Sequence, residues 1–158
     1  MGELKIRVLY HEDAPALAPL IAENAQAVRR GAPRRPDEVY AERILGDRNA
    51  EIIGAFEKNT LVGFAIFFDL PDLLTGYRIG QLDDIYVQPD HQNKGIGKGL
   101  INHIIHAGEN REWSHVRWMV SENKDFGSDL FKKIAKPSEE KSYTITLKKL
   151  TEPEYTVV

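Results

Sequence analysis

Residues Gln81 to Ile105, QLDDIYVQPDHQNKGIGKGLINHII, confine this chain more than any other stretch. An apolar strand carrying two adjacent carboxylates runs into a Pro-Asp turn. A short loop with Gly95, Gly97 and Gly99 follows, and then an amphipathic helix. On that helix Leu100, Ile101, Ile104, Ile105 and Gly108 share one face, and Lys98, Asn102, His106 and Glu109 share the other. Glycine lets the backbone come close to a ligand, and the first N–H groups of a helix have no carbonyl partner within it. A strand feeding such a helix start builds a site for an anion such as a diphosphate.

The rest of the chain supplies partners for that unit. Lys5 to Leu9 reads as a first strand. Asp13 is a plausible cap for a helix with Leu17, Leu20 and Ile21 at helical spacing, Pro15 being tolerated in its first turn. Arg29 to Pro36, with four arginines, reads as a solvated loop. Asp37 caps a second helix to about Leu45. Glu51 to Phe56 and Leu61 to Phe68 form an antiparallel hairpin about Lys58-Asn59, and Leu70 to Gly80 reads as a Pro/Gly-bearing connection. After Leu82 to Val87 and the helix from about Gly97 to Gly108 come a strand over Val116 to Val120 and a helix over Phe126 to Ala135. Tyr143, Ile145 and Leu147 alternate within Ser142 to Leu150 and predict a last strand, with Thr151 to Val158 as a tail. The order predicts one mixed α/β domain over 1–158, with strand-helix-strand crossovers confined to its second half.

Composition removes several classes. With no cysteine there is no disulfide, thiolate metal site or cysteine nucleophile, which fits a cytoplasmic protein. A net charge of -3 leaves no overall nucleic-acid footprint, and Trp113 and Trp118 have too few basic neighbours to serve as stacking platforms. No apolar run approaches a membrane span, and Met1 to Tyr10 lacks a signal-peptide pattern. The Met-Gly start does not imply myristoylation, because Ile6 stands where Ser or Thr is needed. His103 and His106 lie three apart on a helix without a third metal ligand, and His91 reads as a polar turn residue.

The glycine loop can be tested against known phosphate loops. A Walker loop needs a hydroxyl after Gly97-Lys98, but Gly99 stands there. A dinucleotide fingerprint needs a third glycine where Leu100 stands. Gln92-Asn93-Lys94-Gly95-Ile96-Gly97 instead resembles the acetyl-CoA loop [QR]-x-x-G-x-[GA] of the GNAT superfamily of N-acetyltransferases. Leu82 to Pro89 resembles that family's strand L-E-D-L-Y-V-x-P, and Val120 to Asn123 with Leu130-Phe131 resembles its V-x-x-x-N…L-Y segment.

The resemblance implies a GNAT-like acyl-CoA N-acyltransferase fold, a central mixed sheet with helices on both faces and a parallel, splayed strand pair at the coenzyme. It implies acetyl-CoA as acyl donor, its diphosphate held without metal by Gln92, Asn93, Lys94, Gly95, Ile96, Gly97 and Lys98. The pantetheine arm would pair with the backbone of Ile85, Tyr86 and Val87 and lie near Asn123 and Phe131. The Ile85 N–H, near a bulge, would meet the acetyl oxygen; one such donor is worth about 2.7–4 kcal/mol. An amine acceptor must lose a proton before attack, and Asp83, where the family often has Glu, is the candidate base, with Asp84 as the alternative. Successive strand side chains face opposite ways, so one carboxylate can enter the cleft while the other braces the structure. Both could equally be structural. Phe131 departs from the family's Tyr and has no proton to give; Tyr86 and Tyr143 are conceivable substitutes. Direct acetyl transfer to a primary amine of a small molecule or peptide is the implied function, and a non-catalytic acyl-CoA-binding or protein-interaction module is the alternative. The arginines of 29–36 suit an anionic acceptor while Asp69, Asp72 and Asp83 suit a cationic one, so the acceptor stays open, as does a homodimer.

Overall fold

The computed structural model describes residues 2–28, 38–120, 128–145 and 147. Its elements are β1 (Leu4–Val8), α1 (Ala14–Val28), α2 (Glu38–Leu45), β2 (Ala50–Glu57), β3 (Thr60–Pro71), β4 (Arg78–Val87), α3 (Ile96–Asn110), β5 (Trp113–Trp118) and α4 (Ser128–Ile134). The Arg29–Pro36 loop, the Asp37 cap, Asn123, the first residues of the last predicted helix and the tail lie outside the described residues. The chain divides into two compact units, Met1–Ser128 and Asp129–Val158.

In the first unit the strands lie in the order β1-β2-β3-β4-β5, antiparallel from β1 to β4 and parallel between β4 and β5. The predicted Lys58-Asn59 turn is confirmed, with left-handed φ values of 48° and 66°, the twist that matches a two-residue hairpin. Alternation sorts the sheet into two faces. Ile52, Phe56, Phe64 and Tyr86 pack with Leu17, Ala18 and Leu20 of α1 and Ala41 of α2. On the other face α3 approaches β1 closely: a Cβ added at Gly99 would lie 2.8 Å from the Ile6 side chain. Helices thus cover both faces, and Ile96, Leu100, Ile101 and Ile104 bury the apolar stripe of α3.

Several elements differ from the sequence reading. Much of the expected Leu70–Gly80 connection is strand: β3 runs to Pro71 and β4 begins at Arg78, leaving only a turn in which Asp72 accepts from the Leu74 N–H and the Thr75 hydroxyl. Pro71 ends its strand, where a missing donor does least harm. β5 starts at Trp113 rather than Val116, because the Trp113 ring packs edge-on to Phe67, their centroids 6.0 Å apart. In the second unit α4 forms, and the Ala135 N–H closes it on the Phe131 carbonyl at 3.0 Å. No strand forms over the described residues 142–145 and 147, where Tyr143, Ile145 and Leu147 are exposed. An alternating pattern makes a strand only where a neighbour accepts its hydrogen bonds.

Candidate active site

The loop after β4 is braced from several sides. The Gln88 N–H donates to the Val62 carbonyl at 2.9 Å. A 3₁₀ turn over Pro89–His91 follows, with His91 Nδ1 2.8 Å from Glu57. The Gln92 amide reaches back to the Val87 carbonyl at 3.0 Å, so its side chain braces the loop. Asn93 and Gly95 are left-handed, at φ 61° and 81°. The first backward bond of α3 runs from the Gly99 N–H to the Gly95 carbonyl at 2.9 Å. The N–H groups of Ile96, Gly97 and Lys98 therefore have no carbonyl within the helix. A Cβ at Gly95 would meet nothing within 4 Å, so the space beside Gly95 is open. Exposed Lys94 and Lys98 flank them, and buried Ile96 pins the helix start. This cradle fits a diphosphate: it offers N–H donors, cations and room.

Next to it, one edge of β4 lacks a strand partner. Pairing with β5 ends at Leu82↔Trp118, while β4 runs on to Val87. Over that run Ile85, Tyr86 and Val87 pair with Ala65, Phe64 and Gly63 of β3. Among the described residues no strand bonds their other edge, and an extended arm can be hydrogen-bonded there as an added strand.

The carboxylates sit at the other end of that edge from the cradle, just past the last rung shared with β5. Ile66 lies opposite Asp84 and Phe67 opposite Leu82, so Asp83 is the extra residue of a bulge with no β3 partner. The bulge breaks the simple alternation expected for the two aspartates. Asp83 is exposed, yet its carboxyl is raised above the usual range, first by partial desolvation and then by the charge of Asp84. Asp84 is half-buried; its Oδ2 accepts from Asn24 Nδ2 at 2.8 Å and its Oδ1 from the Ile85 N–H at 3.0 Å. The amide expected to face an acetyl oxygen thus donates to a neighbouring carboxylate here.

Asn24 and Glu23 on α1 escaped the sequence reading. Glu23 accepts from the Tyr86 hydroxyl at 3.0 Å and from Gln88 Nε2 at 3.2 Å. Burial, and then Glu23, push the Tyr86 hydroxyl up to about 12, which makes it a bound donor rather than an acid for a thiol. Asn24 carried a usable signal: it falls seven residues after Leu17 and four after Leu20, a polar group on an apolar stripe. Phe131 is half-buried in α4 of the second unit, and Tyr143 is exposed. Among the described residues no three His, Asp or Glu side chains group to hold a metal, and no helix is long and apolar enough to cross a membrane.

A mixed sheet whose parallel pair parts beside a helix-start anion cradle defines an acyl-coenzyme A transferase scaffold. Residues 15–133 match the model of the Acetyltransferase (GNAT) family, and the chain belongs to that family of acetyl-CoA-dependent acyltransferases. Its structure is similar to that of a ribosomal-protein-alanine N-acetyltransferase from Brucella melitensis biovar Abortus 2308, at 41% identity and a TM-score of 0.83, over 92% of this chain and 99% of that one. An uncharacterized N-acetyltransferase of Bacillus subtilis (strain 168) is 27% identical over 68% of this chain and 72% of its own length. A thialysine N-epsilon-acetyltransferase of Sus scrofa is 28% identical over 54% of this chain, which spans about half of that relative, 51%.

Proposed function

We propose that this chain, acting as one domain over 1–158, moves the acetyl group of acetyl-CoA directly to a primary amine of a small molecule or peptide. The observation that carries this reading is the anion cradle lying next to a strand edge that has no strand partner among the described residues, with a raised carboxyl at that edge's other end. The family match, running from 15 to 133, crosses the division between the two units. The similar enzymes named for a ribosomal-protein alanine and for thialysine support an amine acceptor.

In this reading the loop from Gln92 to Lys98 takes the diphosphate, and the edge at Ile85, Tyr86 and Val87 takes the pantetheine arm, with Asn123 and Phe131 beside it. Asp83 accepts a proton from the acceptor ammonium, directly or through water. The freed amine attacks the thioester carbonyl. The new C–N bond forms, the C–S bond breaks, the thiolate leaves with the electron pair, and the second proton on the nitrogen passes to solvent. The thiolate takes its proton from solvent, because Phe131 offers none and a free thiol titrates near ~8.5. The Ile85 N–H turns from Asp84 Oδ1 to the acyl oxygen as charge develops there. No metal takes part, the partners include neither nucleic acid nor membrane, and the setting is the cytoplasm. Homodimerisation is compatible with this scheme.

Thiol release from acetyl-CoA with a mixed amine panel, alongside calorimetric titration of the coenzyme, tests the proposal. Turnover that falls about a hundredfold or more in Asp83→Asn supports it. The occupied Ile85 N–H and the missing hydroxyl at Phe131 favour a second reading, a non-catalytic acyl-CoA-binding or protein-interaction module. Coenzyme binding without turnover on any amine, unchanged in Phe131→Tyr, would select it. No binding heat at all would remove the transferase and the acyl-CoA-binding module and leave the protein-interaction module.

A further inference from the structure

His91 closes the turn that leads into the glycine loop, and its partner is distant in sequence: Nδ1 lies 2.8 Å from Glu57 Oε2, 34 residues away on β2. A charged carboxylate can only accept, so Nδ1 carries the proton whether the ring is neutral or charged. The two side chains are 28% and 25% exposed, so water screens the bond only in part. Glu57 is itself a fixed post, paired with Leu4 of β1 on one side and with Thr60 of β3 on the other. Residues directly opposite on paired strands share a face, so Glu57 stands beside Leu4. A Cβ added at Gly99 would lie 3.6 Å from Leu4 and 2.8 Å from Ile6, so α3 starts over that same face.

The stretch between these points needs holding. Asn93 and Gly95 both have left-handed φ, a conformation that a residue with a Cβ adopts at a cost. From the helix side, buried Ile96 pins the loop. From the strand side, the Gln92 amide returns to Val87, and the His91 and Gln92 N–H groups return to Gln88 and Pro89. The His91–Glu57 bond carries this approach to a different strand. We propose that Glu57 is a positioning residue for coenzyme binding: acting through His91, it fixes the entrance of the loop from Gln92 to Lys98 to the sheet, so that the helix-start donors are in place before a diphosphate arrives. This rests on the reading, given above, that the loop takes the diphosphate. A loop already held in its bound form spends less of the interaction on its own ordering, so the tie shows as affinity.

Calorimetric titration of coenzyme A into the full chain tests this without a known acceptor. Glu57→Ala and His91→Ala are each expected to weaken binding about fivefold. The double variant is expected to bind no worse than either single one, because the two residues act as one tie. His91→Asn, whose amide nitrogen can stand where the ring Nδ1 stood, is expected to restore most of the affinity. Glu57→Thr, too short to reach, and His91→Leu, without a donor, replace any alanine variant that a melting curve shows not to fold. Single variants that bind as tightly as wild type, or losses that multiply in the double variant, overturn the inference. If Gly95→Ala and Lys98→Ala also leave binding untouched, the cradle reading itself falls. If those two weaken binding while the Glu57 and His91 variants do not, only the tie is lost.

Discussion

The two ends of the sheet are built on opposite principles. At the end away from the loop a tryptophan ring fills the space over two glycines, and Glu51 and Asp69 are paired. A Cβ at Gly80 would lie 2.2 Å from the Trp113 ring and one at Gly108 2.5 Å from it, so both glycines are seats for an indole. Arg111 bridges Glu51 and Asp69 there and Arg78 also pairs with Asp69, whereas Arg7, which the register sets level with Tyr86, holds Asp13 with two bonds of 2.8 Å. At the loop end the glycine with an unusual backbone has nothing above it, and the helix-start donors are left without carbonyls. Glycine makes room for a ring at Gly80 and Gly108 and supplies backbone hand at Gly95. The far end holds the strands together so that the near end can keep groups unsatisfied.

Substitutions can break that contrast. Gly80→Ala is expected to have the largest effect, about 3 kcal/mol of lost stability, because the ring it strikes is itself packed on Phe67. A thermal melt measures it, and coenzyme affinity in the folded fraction should hold. Asp13→Asn removes a paired carboxylate and is expected to cost about 2 kcal/mol near neutral pH. The bond from Arg7, opposed by burial, holds the Asp13 carboxyl below its usual range. Its contribution is therefore full above the unfolded pKa and is lost as pH falls through the lower folded value. Melting curves of the two proteins should converge in acid; a constant gap would refute the pairing.

Gly95→Ala sharpens the contrast from the other side. A left-handed alanine costs about 1 kcal/mol, yet acetyl-CoA affinity should fall about tenfold in calorimetry, since the helix start must shift. Lys98→Ala is the smallest change. It should leave the melting temperature alone and weaken coenzyme binding roughly threefold, a loss that shrinks with added salt.

What the sequence disclosed follows the same divide. The strand, loop and helix from Leu82 to Gly108 were legible because glycine placement and apolar spacing are local. The β3–β4 hairpin was underread because Pro71 and Gly80 look like breakers, when one closes an edge and the other makes room for Trp113. The Asn24–Asp84 bond joins residues 60 apart, and only a polar residue out of place on an apolar stripe hinted at it. The expected strand near Tyr143 does not form over the described residues 142–145 and 147, where a sound period stands exposed.

The bulge on β4 has one more consequence. Leu82 and Ile85 stand opposite Phe67 and Ala65, which are two apart on β3, so they look the same way although three places separate them. Asp83 is surplus to the ladder. Deleting it would let Leu82 and Asp84 take consecutive rungs, and every other side chain of the strand would keep its side. A chain shorter by that single residue should fold at least as well, and under the proposed mechanism it would lose the group that takes the proton.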